Sequence, residues 1–355
     1  MLINNFSKVV TGTTPSTKNN KYYSSDDYMF ISPEDLKNNR YIQHSKRYIS
    51  YYAYDDYKSR FIPENSIVID CIGSDMGNVA ITSKTSLTNQ QINAITNINT
   101  NIVKPLYLYY LLSTYKNFFH SIGSNGSTMP IISKSLFENI NVDIKHNLTE
   151  QQHIVDTVGS LDDKIENNNK IIEQLDNFLD LKFKEIYMQA LESGLKINLN
   201  DIVDLKTGKK DANAAQEKGK YPFFTCSEKD STINDYSFDQ EAILIAGNGN
   251  MSVKYFKGKF DAYQRTYVIN SSKYFYYLYL YYKNFIKDIA VEARGSVIKF
   301  LTKSMLLDIE LPILNDIQMN NYESIIKKIL DYELSLFNEN KKLMILKENY
   351  LKKFF

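Results

Sequence analysis

Apolar positions along this chain follow two periods, and the longer one governs two extended segments. From Glu150 onward, Ile154, Val158, Leu161, Ile165, Asn168, Ile172, Leu175 and Leu179 succeed one another at alternating intervals of four and three, which places them on one helix stripe and forms a coiled-coil seam. Adding 171 to each position gives Ile325, Ile329, Tyr332, Leu336, Glu339, Leu343, Leu346 and Tyr350, so a second seam repeats the first. Asn168 and Glu339 interrupt the two seams at the same place, and one polar seam residue commonly fixes register at some cost in stability. The pattern predicts two long helices, 149–192 and 316–355, that pair with each other; the alternative is that each packs its stripe on its own domain. A helix from Glu150 to Glu192 is about 60 Å long at 1.5 Å per residue. Antiparallel pairing then leaves two globules, 1–148 and 193–315, at opposite ends of a shared helix pair, with approximate two-fold symmetry.

The globules repeat as well. Tyr115-Lys116-Asn117-Phe118 returns as Tyr282-Lys283-Asn284-Phe285, each time closing an aromatic-rich segment that reads as a buried helix. Gly126-Ser127, Lys134-Ser135 and Ile140 return as Gly295-Ser296, Lys303-Ser304 and Ile309, all at an offset of 169. Upstream, Val9-Val10-Thr11-Gly12 is echoed by Val203 to Gly208 at an offset of 196. The two copies share a frame and diverge in their front portions. Ser252 to Phe256 and Phe260 onward alternate like two strands around a turn at Lys257-Gly258-Lys259.

Composition narrows the class without naming a partner. The 355 residues exceed one average domain, and 43% apolar with 23% charged residues is the balance of a folded protein. A net charge of +1 is not that of a strongly basic nucleic-acid binder. By segment, residues 1–148 carry 14 basic and 11 acidic side chains and 193–315 carry 17 and 14, whereas the first helix carries 4 and 10. The acidic helix is a poor phosphate binder and either a protein-binding surface or a solvated face. The 28 tyrosines beside no tryptophan fit a biased genomic composition more simply than a set of recognition surfaces. Cys71 and Cys226 form no C-x-x-C pair. No leader is evident, and the aromatic run Tyr274 to Tyr282 is too short to span a bilayer, so a cytoplasmic protein is expected.

Several chemistries are missing. Gly208-Lys209, Gly219-Lys220 and Gly258-Lys259 are followed by Lys210, Tyr221 and Phe260, where a P-loop needs Ser or Thr to hold magnesium. No proline pair exists to build the amine-holding loop of an adenine methyltransferase. Ala246-Gly247-Asn248-Gly249 lacks the following helix of a dinucleotide fingerprint and reads as strand-loop-strand. The four histidines have no metal-ligand spacing, and no G-x-S-x-G elbow is present.

Taken together, the residues resemble the specificity subunit of type I restriction-modification systems over nearly the whole chain. The resemblance rests on Gly12-Thr13-Thr14-Pro15-Ser16, Ile67 to Ile81 with Gly73 and Gly77, Asn89 to Ile95, Gly126-Ser127-Thr128 leading to Ser133-Lys134, and the helix opening Glu150-Gln151-Gln152. In the second half it rests on Thr207 to Ala214, Gly219 to Thr225, Ile245 to Gly249 and Ala262 to Tyr267. One departure is that Gln151-Gln152 has no counterpart near Glu323, so equal partner contacts by the two helices are not implied.

The resemblance implies an α+β chain of two similar mixed target-recognition globules joined by an intramolecular antiparallel coiled coil. It implies no catalysis and no bound cofactor in this chain. Each globule reads one half of a split target in double-stranded DNA. The helices dock two modification subunits, which carry the methyl donor, and through them restriction subunits that use ATP. The alternative is a non-catalytic coiled-coil adaptor whose globules bind protein or another ligand. Within the DNA reading, base edges are read by Arg, Lys, Asn and Gln, and phosphates are held by Lys, Arg, Ser and backbone amides. The candidates are Lys18, Asn19, Asn20, Lys21, Ser74 and Gln91 in the first globule, and Lys209, Lys210, Lys229, Asn248, Asn250, Arg265, Arg294 and Lys299 in the second. Gly126-Ser127 and Gly295-Ser296 are either DNA contacts or turns before an apolar strand.

Overall fold

A computed structural model describes residues 1–37, 40–124, 130–227, 230–292 and 300–355. The chain divides into two units: 1–167 with 339–355, and 168–338. In the first, β1 (Lys8–Thr11), β2 (Tyr28–Ile31), β3 (Tyr41–Ile42), β4 (Tyr48–Ile49), α1 (Tyr51–Tyr57), β5 (Ile67–Asp70), β6 (Val79–Thr82), β7 (Ser86–Thr88) and β8 (Ile92–Thr96) precede α2 (Pro105–Ser113), α3 (Lys116–Gly123) and α4 (Lys134–Glu138), and α5 (Leu148–Ser193) leaves the unit. The second has β9 (Lys196–Asn198), α6 (Leu199–Ile202), β10 (Val203–Thr207), β11 (Tyr221–Phe224), β12 (Ser231–Ile233), β13 (Phe238–Ala246), β14 (Val253–Ala262) and β15 (Thr266–Ser271). Then come α7 (Phe275–Glu292), α8 (Lys303–Leu307), β16 (Glu310–Pro312) and α9 (Asp316–Phe354).

The two main sheets have one topology. In the first unit the order is β1-β8-β5-β6-β3, antiparallel except for the parallel pair β6/β3. In the second it is β10-β15-β13-β14-β11-β12, again antiparallel except for β14/β11. Both offsets of the sequence repeat reappear in the pairing: Leu2 bridges Asn141 in one unit, and Asn198 pairs with Glu310 in the other. Helix starts repeat too, since Ser133 and Thr302 cap α4 and α8, and Asn147 and Asn315 accept from the first amides of α5 and α9. The first unit adds a small sheet, β4-β2-β7, with α1 packed beside it. Gly258 lies inside β14 opposite Gln240, with φ at 126°. The turn expected at Lys257-Gly258-Lys259 is therefore one continuous strand that a single glycine deforms.

Tyrosine serves as a core residue. Tyr107, Tyr110, Tyr277 and Tyr282 are fully buried. Each phenol is satisfied: Tyr107 accepts from the Lys145 amide, Tyr110 donates to Asp162, and Tyr277 and Tyr282 donate to the carbonyls of Pro312 and Leu306. In the first unit Ile154 and Val158 of α5 share this core with Tyr350, Leu351 and Phe354 of α9. In the second, Leu179, Phe183, Ile186 and Ala190 of α5 share one with α7 and with Met319, Ile326 and Leu330 of α9. Within each unit, the stripes thus pack both on each other and on that unit's globule.

The helices run antiparallel within each unit. Lys347 of α9 binds Asp162 at 2.7 Å, and Glu339 faces Lys164; further along, Glu333 faces Asp176 and Tyr322 lies by Lys182 and Glu185. On α5, Ile154, Val158, Ile165, Asn168, Ile172 and Leu179 are buried and Leu161 and Leu175 half-buried. On α9 the seam differs from the expected one. Ile325, Tyr332 and Leu346 are 50%, 48% and 42% exposed, while Ile326, Leu330, Glu333, Leu336 and Asn340 are buried; Ile329, Leu343, Tyr350 and Glu339 are half-buried. An offset of 172 carries Ile154, Val158, Leu161 and Asn168 onto Ile326, Leu330, Glu333 and Asn340. One residue turns a helix by about 100°. Because Ile325-Ile326 and Ile329-Leu330 are adjacent apolar pairs, the apolar pattern alone leaves that rotation open.

Candidate nucleic-acid interface

Each sheet delivers three segments to one end, and the same close approach organises both copies. After β1, a Cβ on Gly12 would lie 2.1 Å from the Asn89 carbonyl oxygen and 2.3 Å from that of Thr88; after β10, a Cβ on Gly208 would lie 2.0 Å from the carbonyl oxygen of Ala262. Only glycine lets the strand end pass against the facing turn. Gly12 N–H then donates to Ile92 O, and Gly208 N–H to Thr266 O.

Register makes the remaining segments correspond. Cys71 N–H donates to Gln91 O as Gly247 N–H donates to Arg265 O, and Ile132 N–H donates to Cys71 O as Leu301 N–H donates to Gly247 O. Gln91 therefore occupies the position of Arg265, Thr13 and Thr14 those of Lys209 and Lys210, and Ile72 that of Asn248. Gly73 and Gly249 both turn with positive φ, 106° and 69°, ahead of Ser74 and Asn250.

In the first unit the Thr14 hydroxyl donates to Gln90 Oε1 at 2.5 Å, and Asn89 Nδ2 donates to Gln91 Oε1 at 3.0 Å. The loop bearing Ser74 is stapled at its base. Asp70 accepts from the amide and side chain of Asn78, at 2.6 and 2.8 Å, and burial pushes its carboxyl above the ordinary range. Asp75 is bound by Lys116 at 2.7 Å and Lys37 at 2.9 Å, and those ammonium groups hold its carboxyl well below the usual carboxylate range. Ser74 is left exposed on a fixed backbone. Lys18 to Lys21 lie elsewhere, at the start of a short 3-10 turn (Asn20–Tyr23) that Asn19 caps by accepting from Lys21 N–H. That turn is tied to the segment leaving Gly12 where the Tyr23 hydroxyl donates to Pro15 O.

In the second unit five candidates meet. Lys210 O accepts from Gln264 N–H at 3.0 Å, the Arg265 carbonyl accepts from Gly247 N–H at 2.8 Å, and the Cys226 thiol approaches the same carbonyl. Lys209, Lys210, Asn248, Asn250 and Arg265 thus project from one end of the sheet. Lys209, Asn250 and Arg265 are exposed, and Lys210 and Asn248 half-buried. A groove of about 470 Å³ adjoins Lys209, lined also by Lys206 and Lys303 among others. Lys229, Arg294, Lys299, Gly126-Ser127 and Gly295-Ser296 lie outside the described residues.

Four residues escaped the sequence reading. Gln90 and Gln264 stand exposed at the tips of the two equivalent turns, and their identity in both copies was the available signal. Lys303 lines the groove, signalled only by the Lys134/Lys303 repeat. Arg60 donates to Thr11 O at 3.2 Å from a segment without any motif. Gln151 is a correction of a different kind: it is buried, accepts from Lys104 N–H and donates to the carbonyls of Ile102 and Lys145. Glu323 does the matching work by accepting from the amides of Tyr276 and Tyr277. Gln151 has its counterpart after all, and the role of both is to tie a long helix to the start of its globule's aromatic helix.

Exposed cations, carboxamides and hydroxyls on rigid turns are equipped to hydrogen-bond base edges and phosphates. Among the described residues no group of His, Cys, Asp and Glu is placed to hold a metal ion, and no helix is long and apolar enough to cross a membrane. The thiol of Cys71 is buried, which pushes it up to about 12.

Comparison with known proteins gives concordant results. The family model for the type I restriction modification DNA specificity domain matches residues 2–177 and 195–343. The type I restriction enzyme MjaIX specificity subunit of Methanocaldococcus jannaschii is 27% identical over 396 aligned residues, covering 98% of this chain and 89% of that protein. The EcoDI specificity subunit of Escherichia coli is 45% identical over 121 residues, a third of this chain and 27% of that one. The crystal structure of the type I restriction-modification system S subunit from M. genitalium superposes over the whole chain with a TM-score of 0.66 at 17% identity, covering 95% of that structure, a likeness of fold.

Proposed function

Because the chain belongs to the type I restriction-modification DNA specificity family, we propose that it is the DNA-recognition subunit of such a complex, with each unit engaging one half of a split target. The observation that carries this reading is the duplicated loop cluster: two sheets of one topology, each presenting a glycine-gated strand end, a glycine turn and the turn into the last strand at one end. Two equivalent clusters suit a target of two halves. The chain performs no catalysis. The methyl donor and ATP belong to modification and restriction subunits, and the complex works in the cytoplasm.

The helices are the docking surface for modification subunits. Their support is the apolar side chains left in solvent, with Leu181 67% exposed on α5 and Ile317 76% and Ile345 61% exposed on α9. The test is binding of duplex DNA by the chain assembled with its cognate modification subunit. Sequence-specific retention of a duplex with two fixed half-sites is expected; assembly without any sequence preference favours a protein-binding adaptor instead.

A further inference from the structure

The two clusters are alike in backbone and unlike in charge. Where the second unit has Lys209, Lys210 and Arg265, the first has Thr13, Thr14 and Gln91, at positions equated by the hydrogen bonds of Gly12, Gly208, Cys71 and Gly247. None of the three cations has an ion-pair partner among the described residues, in contrast to Lys206, which is held by Asp204 at 2.8 Å. The second unit's loop from Gly247 to Ser252 carries no charge to offset them. In the first unit, Asp75 is matched by Lys37 and Lys116 at the loop base, and Arg60 reaches the end of β1 from outside the repeat. The groove beside Lys209 adds Lys303, with Asp239 as the acid on its wall.

We propose that the second unit anchors the DNA backbone through Lys209, Lys210 and Arg265, while the first unit engages its half of the target chiefly through uncharged hydrogen-bonding side chains. The three cations then give the second half of the target a salt dependence that the equivalent cluster of the first unit lacks, Lys18, Lys21 and Arg60 lying outside that cluster. This rests on the DNA-recognition reading above. Neutralising a phosphate releases condensed counterions, and each such contact contributes about 0.9 to the slope of log affinity against log salt. Three contacts contribute about 2.7, which is about 40-fold in affinity between roughly 50 and 200 mM salt.

The experiment titrates the full chain, assembled with its modification subunit, against a fluorescent duplex carrying the motif that the complex methylates, at several salt concentrations. The triple variant K209Q/K210Q/R265Q is expected to lower the slope by about 2.7, and T13A/T14A/Q91A to lower discrimination against a mutated half-site while keeping the slope. Transplanting charge as T14K/Q91R is expected to steepen the slope, an outcome that a misfolded variant does not produce. The proposal is overturned if the first triple variant binds with the wild-type slope, or if the second flattens it equally. Absence of any preference for the duplex by the wild-type complex overturns the DNA-recognition reading itself, and this proposal with it.

Discussion

Glu333 gives α9 a stability that depends on pH in a direction opposite to that of most carboxylates. Its side chain is 7% exposed, and its Oε1 has no hydrogen-bond partner among the described residues. Around it stand Asp176 and Asp180 of α5 and Lys283 of α7, with the lysine 2.8 Å from Asp176 and 3.3 Å from Asp180. The one cation is shared among three acids. Burial first, and Asp176 second, push the Glu333 carboxyl up to about 7 from an ordinary value of 4.5. The protonated form is thus favoured by the folded state, so the stabilisation is complete below the unfolded value and disappears as pH rises through about 7. Each pH unit of displacement corresponds to about 1.4 kcal/mol, so the full loss is at most about 3 kcal/mol. Glu333→Gln keeps the shape and removes the titration. Urea unfolding followed by circular dichroism from pH 5 to 9 should show the variant gaining on the wild type mainly between pH 5 and 7, with a constant offset above about pH 8. Parallel curves for the two proteins between pH 5 and 7 would refute the assignment.

Three further outcomes follow from the packing. Arg40 is buried and donates to Glu166 at 2.9 and 2.8 Å, to Asp163 at 2.5 Å and to Tyr110; because Asp163 and Glu166 are themselves solvent-exposed, Arg40→Ala should cost about 1–2 kcal/mol, read as a lowered Tm of the first unit's transition. Gly208→Ala drives a methyl to 2.0 Å from a carbonyl oxygen, so the strand end must shift, at about 1–3 kcal/mol, and DNA affinity should fall well beyond what that destabilisation explains. Leu181→Glu with Ile317→Glu alters only exposed side chains; Tm should stay within about 1 °C while co-purification of the modification subunit is lost.

How much of this was legible in the sequence depended on whether one residue or two offered itself at each position. On α5 Val158, Leu161, Ile165 and Leu175 stand alone among their neighbours and fix the line through the adjacent pairs Ile154-Val155, Ile171-Ile172 and Phe178-Leu179, and the structure follows it from Ile154 to Leu179. On α9 adjacent apolar pairs hid the rotation, and the true line runs through Glu333 and Asn340, which a search for apolar residues passes over. The loop cluster was half legible. Residue type alone pointed to Gln91, Ser74, Asn248, Asn250 and Arg265, but their correspondence across the repeat needed strand register, because the loops between them differ in length. The small sheet β4-β2-β7 was invisible, as its strands are two to four residues long and too short to show a period.

The central claim, one unit for each half of a split target, is tested most directly by mapping adenine methylation in cells that carry the modification subunit with this chain, without it, and with its Asn248→Ala variant. The wild-type chain should add one motif of two short halves at a fixed gap, and the variant should relax one half and leave the other and the gap intact. An assembled complex that adds no motif, or a variant that degrades both halves alike, would contradict it.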